Sequence, residues 1–380
     1  MSVKFDEKIR AVGQQLIQDY SNGILYGGIN GPYDDPETKV RNLAHLCIMT
    51  SIEIMTYKKS EYVPLLNKMG DELMSLRDES GLYVMRQKAG KDICNGVIGH
   101  AWVNEALIYL WRVTNDDVYI DIAVDLSKRH AFNATIGLWG RPGQEATDDT
   151  IDYTFNHQLW YAATLAELNE AVHISTFEDQ LDIFLEKLRF NFSTTKDGKV
   201  SHSIYRRLGT ANSLKQMVKK DLNTVKEKMN KPSLAYKEEG YHVFNMMAFA
   251  RLYRLYRKHS FFTSKEFKNA KNYMYSQKLL DGLENKSIEM DSSLHNGITV
   301  DEEKTLNIYG YTYNVPGFEI LYVDEIFGGG LENPIVKQCR SRQFEYTYDD
   351  STEKFGAMCH DKITINYRVY EYYRYLEMIG

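Results

Sequence analysis

The chain has 380 residues, enough to bury a large core as one big domain or two ordinary ones. Its net charge of −6 and pI near 6.0 argue against a nucleic-acid or membrane-surface partner. With 28 tyrosines and only 7 prolines, the composition favours long helices around a polar cavity, although core packing must absorb most of those tyrosines.

The N-terminus, Met1-Ser2-Val3-Lys4-Phe5-Asp6-Glu7-Lys8, lacks the apolar core of a signal peptide, and no later run is apolar enough to span a bilayer. Cys47, Cys94, Cys339 and Cys359 are scattered without zinc-ligand spacing, so they read as reduced thiols in a cytoplasmic protein.

In chain order, polar and apolar helices alternate. A polar amphipathic helix over 4–20 is followed by the loop Gly27-Gly28-Ile29-Asn30-Gly31-Pro32-Tyr33 and a more apolar helix over about 38–57. A surface-type helix covers about 60–76, and Ser80-Gly81-Leu82-Tyr83-Val84 reads as a short extended segment. The second apolar helix runs from Asn95 to about Val113 through Gly99-His100-Ala101-Trp102, and Asn115-Asp116-Asp117 opens its outer partner. A third pair spans about 151–172 and 177–192. A polar insertion follows over about 193–239, with a hairpin turn at Lys196-Asp197-Gly198-Lys199 and a Lys-rich helix over about 212–229. The fourth pair opens at Glu239-Gly240-Tyr241-His242 and continues at about 264–280. The fifth opens at Tyr309-Gly310-Tyr311-Thr312-Tyr313 with an outer helix near 333–344, and Asp361 to Met378 closes the chain.

Six apolar helices interleaved with six polar ones predict an all-α fold, an inner ring of helices inside an outer one: an (α/α)6 toroid in one domain, residues 1–380, with the insertion looped out. Short turns reverse the chain each time, so the inner helices run the same way and their N-termini converge on one mouth. Such a mouth presents unpaired N–H groups and positive dipole ends, which favour an anionic ligand.

The stretch Asp148-Asp149-Thr150-Ile151-Asp152-Tyr153-Thr154-Phe155-Asn156-His157 is the densest in polar chemistry. It follows Gly140-Arg141-Pro142-Gly143, which places its acids at a loop-to-helix junction. Asp152 is expected to be the general acid or base, with Asp148 and Asp149 as neighbouring charges and Asp149 also reaching substrate. N-capping is the plain alternative for all three. Glu105, on the face of Ala101 and Trp102 or a turn below, is a candidate second carboxylate; an ion-paired Glu fits equally well. Tyr153 and His157 are candidates for a proton-transfer base, with Asn156 alongside.

His100, His157 and His242 could bind a ligand carboxylate or move protons near neutral pH, or serve the core. Arg41 could clamp a carboxylate in bidentate fashion or form a salt bridge with an Asp, with His45 one turn on. Trp102, Tyr241, Tyr311 and Tyr313 could stack on sugar rings, while Trp160 suits the core.

Gly99-His100-Ala101-Trp102 with Thr114-Asn115-Asp116-Asp117-Val118-Tyr119, and Ile151-Asp152 with Asn156 and Leu159, resemble motifs of the six-hairpin (α/α)6-toroid glycosidase-like superfamily, nearest to unsaturated glucuronyl hydrolases. The resemblance implies a glycoside hydrolase acting on an acidic, uronate-containing glycan, with Asp152 in the place of the catalytic aspartate. A uronate lyase or C5-epimerase using Tyr153 or His157 stays open, as does a non-catalytic glycan-binding scaffold. The region from Asn30-Gly31-Pro32-Tyr33 to Arg41-Asn42 is also similar to proteins associated with glycan-assembly gene clusters.

Asp148-Asp149-Thr150-Ile151-Asp152 also matches the Asp-Asp-x-x-Asp diphosphate motif of class I terpene synthases. Here a Gly-Pro loop precedes it, and Asp221 to Glu227 lacks the spacing of their second metal motif. The expectation is therefore a carbohydrate substrate, no cofactor and no metal.

Overall fold

The computed structural model describes residues 2–33, 35–204, 233–284, 306–328 and 332–380. Six buried helices alternate with six outer ones. The inner set is α2 (Val40–Met55), α4 (Ile98–Thr114), α6 (Phe155–Val172), α9 (His242–Leu255), α12 (Pro316–Phe327) and α15 (Tyr370–Ile379). The outer set is α1 (Ser2–Ser21), α3 (Val63–Ser75), α5 (Asp117–Lys128), α7 (Ser175–Asn191), α10 (Lys265–Met274) and α13 (Pro334–Thr347). Three short helices, α8 (Ser233–Gly240), α11 (Gln277–Leu283) and α14 (Thr364–Tyr367), sit in connections.

Burial patterns explain which helix goes where. Every residue of α4 from Ile98 to Leu110 is buried, as expected of a helix with neighbours on all sides. In contrast, α3 buries only Leu66, Met69, Gly70 and Leu73, a single stripe at helical spacing. The inner helices close a ring: α2 packs on α4, α4 on α6, α6 on α9, α9 on α12, α12 on α15, and α15 back on α2. The outer helices α3, α5, α7, α10 and α13 each pack on the inner helix before them, while α1 lies against α2 and α15. The (α/α)6 toroid expected from the alternation is the observed fold.

Tight reversals keep the inner helices aligned. Asn115 ends α4 in the left-handed conformation (φ 55°), and Asp116 then caps α5 by accepting from the Val118 N–H at 3.1 Å. His173 ends α6 in the same way (φ 52°), and the Asn169 side chain accepts from the Ile174 N–H at 2.7 Å.

The expected extended segment near Tyr83 is a single antiparallel bridge from Tyr83 to Arg77. Two small hairpins pair β1 (Phe132–Asn133) with β2 (Leu138–Trp139), and β3 (Tyr348–Asp349) with β4 (Lys354–Phe355). The turn at Lys196 to Lys199 forms as expected, with Thr195 N–H donating to Lys199 O at 2.8 Å and Thr194 bridging Val200. The Lys-rich helix expected over 212–229 lies outside the described residues. All four cysteines are buried free thiols. No described helix is long and apolar enough to cross a membrane.

Candidate active site at the mouth of the toroid

The N-terminal ends of all six inner helices meet at one cavity of about 210 Å³. Arg41 comes from α2, Ile98 and Trp102 from α4, Asn156 and His157 from α6, and Phe244 from α9, joined by Tyr241 just before it. Tyr313 and Asn314 precede α12, and Arg368 precedes α15. The connecting segments add Asn30, Tyr33, Asp35, Arg86, Lys91, Asn95, Thr154, His202 and Lys237.

His157 on one wall is backed by Asp152, which does not line the cavity. The Asp152 Oδ2 accepts from the Val97 N–H at 3.1 Å and lies 2.7 Å from His157 Nδ1, while Oδ1 accepts from the Thr154 N–H at 3.1 Å. Burial alone would raise the Asp152 pKa. The His157 charge and hydrogen bond and the two backbone donors outweigh it and hold the carboxyl at about 2. Asp152 is thus held as the carboxylate by the Val97 and Thr154 N–H groups and by His157. Its place is behind His157. The short contact fixes the His157 Nδ1 proton toward Asp152 and leaves Nε2 without a hydrogen-bond partner among the described residues.

Gly96 makes this packing possible. It has φ +64°, and a Cβ there would stand 1.9 Å from Asp152 Oδ2 and 2.7 Å from His157 Nδ1.

His202 stands on the same cavity and was not foreseen from the sequence. Burial, with the charges of Lys237 and His157 adding to it, lowers its pKa to about 3, so its imidazole is neutral. Its ring lies 5.4 Å from that of Tyr241, and its Nδ1 has no hydrogen-bond partner among the described residues. Beyond it runs a chain of hydroxyls, Tyr241 donating to Tyr313 at 3.3 Å and Tyr313 donating to Asn30 Oδ1 at 2.6 Å.

The remaining wall is cationic. The Arg41 guanidinium lies 4.3 Å from the Trp102 ring centre and donates to Glu37 at 3.0 Å, while its Nε has no partner among the described residues. Arg368 is held by Glu319 and Glu371. Asp35 is the one carboxylate on the wall among the described residues, and Arg86 (3.3 Å) and Lys88 (2.7 Å) bind it.

Of the sequence candidates, Arg41, Trp102, Asn156, His157, Tyr241 and Tyr313 are brought together on this cavity. Others are placed elsewhere, each for a visible reason. Glu105 sits two turns down α4, clamped by Arg251 and Arg374 in the interior, so it does not reach the cavity. His100 belongs to a buried relay: it accepts from the Tyr83 N–H at 3.2 Å and its Nδ1 meets His130 Nε2 at 3.0 Å. His130 Nδ1 in turn donates to Gly140 O at 3.1 Å, so the only consistent assignment is two neutral rings, each with one donor and one acceptor. His242 accepts from the Val200 N–H at 3.2 Å and donates to Ala270 O at 3.0 Å, tying the insertion to α10. His45 is buried beneath Arg41, stacked 3.9 Å from the Tyr370 ring. Tyr311 packs on Tyr346, away from the cavity. Tyr153 packs against the core and is not on the cavity wall.

Asp148 and Asp149 are exposed in the preceding turn, while Asp152 is buried. The three carboxylates of the Asp-Asp-x-x-Asp match therefore do not converge, and no cluster with metal-binding geometry occurs among the described residues.

The buried histidines have an acid consequence. Burial lowers the pKa of His130 to about 4 and of His242 to about 3, below the value of the unfolded chain. As pH falls through the ordinary histidine range, the unfolded chain takes up protons these rings refuse, so stability declines. The expected result is a melting temperature that drops between about pH 6.5 and about pH 4, with His242→Asn flattening part of the slope.

No family model matches the sequence. The chain is 27% identical to archaeal glycosylation protein Q of Haloferax volcanii, across 92% of this chain and 91% of that protein. Among solved structures it is similar to cellobiose 2-epimerase from Bacillus thermoamylovorans (TM-score 0.57, 10% identity, 94% of this chain and 92% of that one). An unsaturated glucuronyl hydrolase specific for heparin aligns with TM-score 0.59 and 9% identity, covering 98% and 96% of the two chains. A sugar epimerase from a ruminal bacterium aligns with TM-score 0.59 and 13% identity, covering 98% and 99%. At such identities the likeness is one of fold, and that fold is the (α/α)6 toroid.

Proposed function

We propose that the protein is a carbohydrate-active enzyme that moves a proton at a carbon of an anionic sugar, an epimerase or isomerase, with His157 and His202 as the proton-transfer groups. One observation carries the reading: two imidazoles, each with a ring nitrogen lacking a partner among the described residues, stand on one cavity, and one of them is backed by an ionised aspartate. A glycosidase of the usual kind needs two carboxyl groups flanking the bond. Asp35, the one carboxylate on the wall among the described residues, is already bound by two cations. That favours proton transfer over the hydrolysis implied by the family resemblance.

For a uronate the steps balance as follows. His157 Nε2 removes the proton from the carbon next to the carboxylate, and the electron pair of the C–H bond moves into that carboxylate as an enediolate. Asp152 stabilises the imidazolium that forms, and Arg41, Arg86, Lys91 and Lys237 surround the developing charge. A solvent proton relayed through neutral His202 to the other side of the ring gives the epimer, and the His157 imidazolium returns its proton to solvent. The sequence of steps uses no metal, so chelator-treated protein is expected to keep its activity.

The test is incubation with glucuronate and its oligosaccharides in heavy water. Deuterium entering the carbon next to the carboxylate without bond cleavage supports the reading. Release of new reducing ends without exchange establishes a hydrolase instead.

Gly96→Ala checks the geometry. Displacing Asp152 or His157 by about 1 Å is expected to cost about 100-fold in turnover. Gly90→Ala is the control, since Gly90 also has a positive φ (+75°) but nothing lies within 4 Å of its added Cβ. Equal losses in both variants would show that backbone strain, not the pair, is responsible.

A further inference from the structure

Three groups of ions are buried behind the cavity. Arg41 pairs with Glu37, one to one. Arg251 and Arg374 share Glu105 and Glu167, two to two. Arg368 alone faces two carboxylates, Glu319 and Glu371, and the three side chains are 3%, 0% and 1% exposed. An extra carboxylate charge at such depth is strongly disfavoured when it has no cation of its own, so one of the two acids is the natural place for a proton.

The hydrogen bonds say which. Glu371 Oε1 accepts twice from Arg368, from Nε at 2.9 Å and Nη2 at 2.6 Å. Glu319 Oε1 accepts once, from Nη2 at 2.8 Å, and the second oxygen of each acid has no hydrogen-bond partner among the described residues, so the two differ in one bond from Arg368 against two. The other groups around the triad do not supply a balancing charge. From α2 come Arg41, already matched by Glu37, and the neutral ring of His45. From α4 comes Glu105 and from α9 Arg251, both inside the balanced network. From α13 comes the Cys339 thiol, pushed up to about 12 by burial, and from α15 the Tyr370 phenol, also raised by burial. Tyr313, ahead of α12, is likewise raised by burial.

We propose that Glu319 is buried as the neutral acid and is a specificity-determining residue: its proton keeps a surplus negative charge from lying beneath Arg368, whose Nη1 holds Tyr313 O and Asn314 Oδ1 at the cavity wall. The link to specificity rests on the anionic-sugar reading above; the proton itself does not. Burial, opposed by Arg368 and reinforced by Glu371, pushes the Glu319 carboxyl up to about 8. Loss of that proton adds one negative charge under the site, so an anionic ligand binds more weakly as pH rises.

The sign for stability is the same. A carboxyl whose folded pKa is raised contributes stability fully present below its unfolded value, and that contribution is lost as pH rises through the folded value. Relative to Glu319→Gln, the native protein should therefore lose stability between about pH 4.5 and about pH 8.

Infrared spectroscopy of the full chain with 13C-labelled glutamate tests the proton directly. At neutral pH the native protein should show a protonated-carboxyl C=O band that shifts with the label and fades above about pH 8. Either Glu319→Gln or Glu371→Gln leaves Arg368 matched one to one and should remove the band, so neutral-pH stability reads the site: Glu319→Gln, which replaces a neutral acid, should stay close to native, and Glu371→Gln should be less stable. A Glu319→Gln protein less stable than Glu371→Gln overturns the assignment, as does a native spectrum with no such band. Calorimetry with glucuronate then reads the consequence: affinity should fall roughly tenfold per pH unit above about pH 8 in the native protein and stay level in Glu319→Gln. A native affinity flat across that range overturns the specificity role. Failure of glucuronate to bind at any pH counts against the anionic-sugar reading, while the spectrum still decides the proton.

Discussion

Replacing His157 with Ala should lower solvent-deuterium exchange into an anionic sugar by about 10²–10⁴-fold, the usual contribution of a positioned acid or base. The variant should remain folded, because His157 is 20% exposed and Asp152 retains the Val97 and Thr154 N–H groups as partners. His202→Ala should be comparably impaired in epimer formation but should still wash deuterium into the substrate if the two imidazoles work from opposite sides. Asp152→Asn is the subtler case. It keeps the shape but removes the charge that stabilises the imidazolium and holds the Nδ1 proton. Its turnover should fall, because the amide no longer stabilises the imidazolium formed during proton transfer. An Asp152→Asn turnover equal to that of the native protein would falsify the positioning role. Full activity in His157→Ala would remove the proposed chemistry altogether.

The largest stability effect is expected from Glu105→Ala. The Glu105 carboxylate accepts from Arg374 and, at 3.2 Å, from Arg251. Glu167 accepts from Arg251 at 2.7 and 3.0 Å and from Arg374 at 3.0 Å. These four residues come from α4, α6, α9 and α15, so the network ties four of the six inner helices across the centre of the ring. Removing Glu105 leaves two buried guanidiniums with one carboxylate, and breaking a buried pair in this way costs about 3–5 kcal/mol. Denaturant unfolding, with the slope unchanged, reads that loss as a lower midpoint. Glu167 adds a pH signature. Burial would raise its pKa, but Arg251 and Arg374 more than reverse this and depress it. A depressed carboxylate contributes stability above its unfolded pKa that is lost as pH falls through the folded value. A Glu105→Ala variant as stable as the native protein would mean that water enters the network and relieves it.

The helices and their alternation were legible in the sequence because they follow from periodicity. A single stripe such as Leu66, Met69, Gly70 and Leu73 can bury only one side of a helix, while the all-round burial of Ile98–Leu110 needs neighbours on every side. Short, capped reversals at Asn115 and His173 then leave little choice of topology, and the convergence of helix N-termini on one mouth follows from chain direction alone. So Arg41, Trp102, Asn156, His157, Tyr241 and Tyr313 could be found by their place at helix starts.

What the sequence could not decide was the partner of each polar side chain. His100, His157 and His242 look alike along the chain, yet two are spent on the backbone or on another histidine and one keeps a free nitrogen. The partners of Asp152 include Val97, 55 residues earlier, whose N–H reaches its carboxylate beside Gly96. Glu105 looked available until Arg251 and Arg374, 146 and 269 residues later, arrived on either side of it. His202 comes from an insertion with no helical period to place it. Burial of apolar stripes is summed over many residues and survives a local error. The protonation and role of a buried polar group depend on one or two contacts made across the ring, and only the closed toroid brings those contacts together.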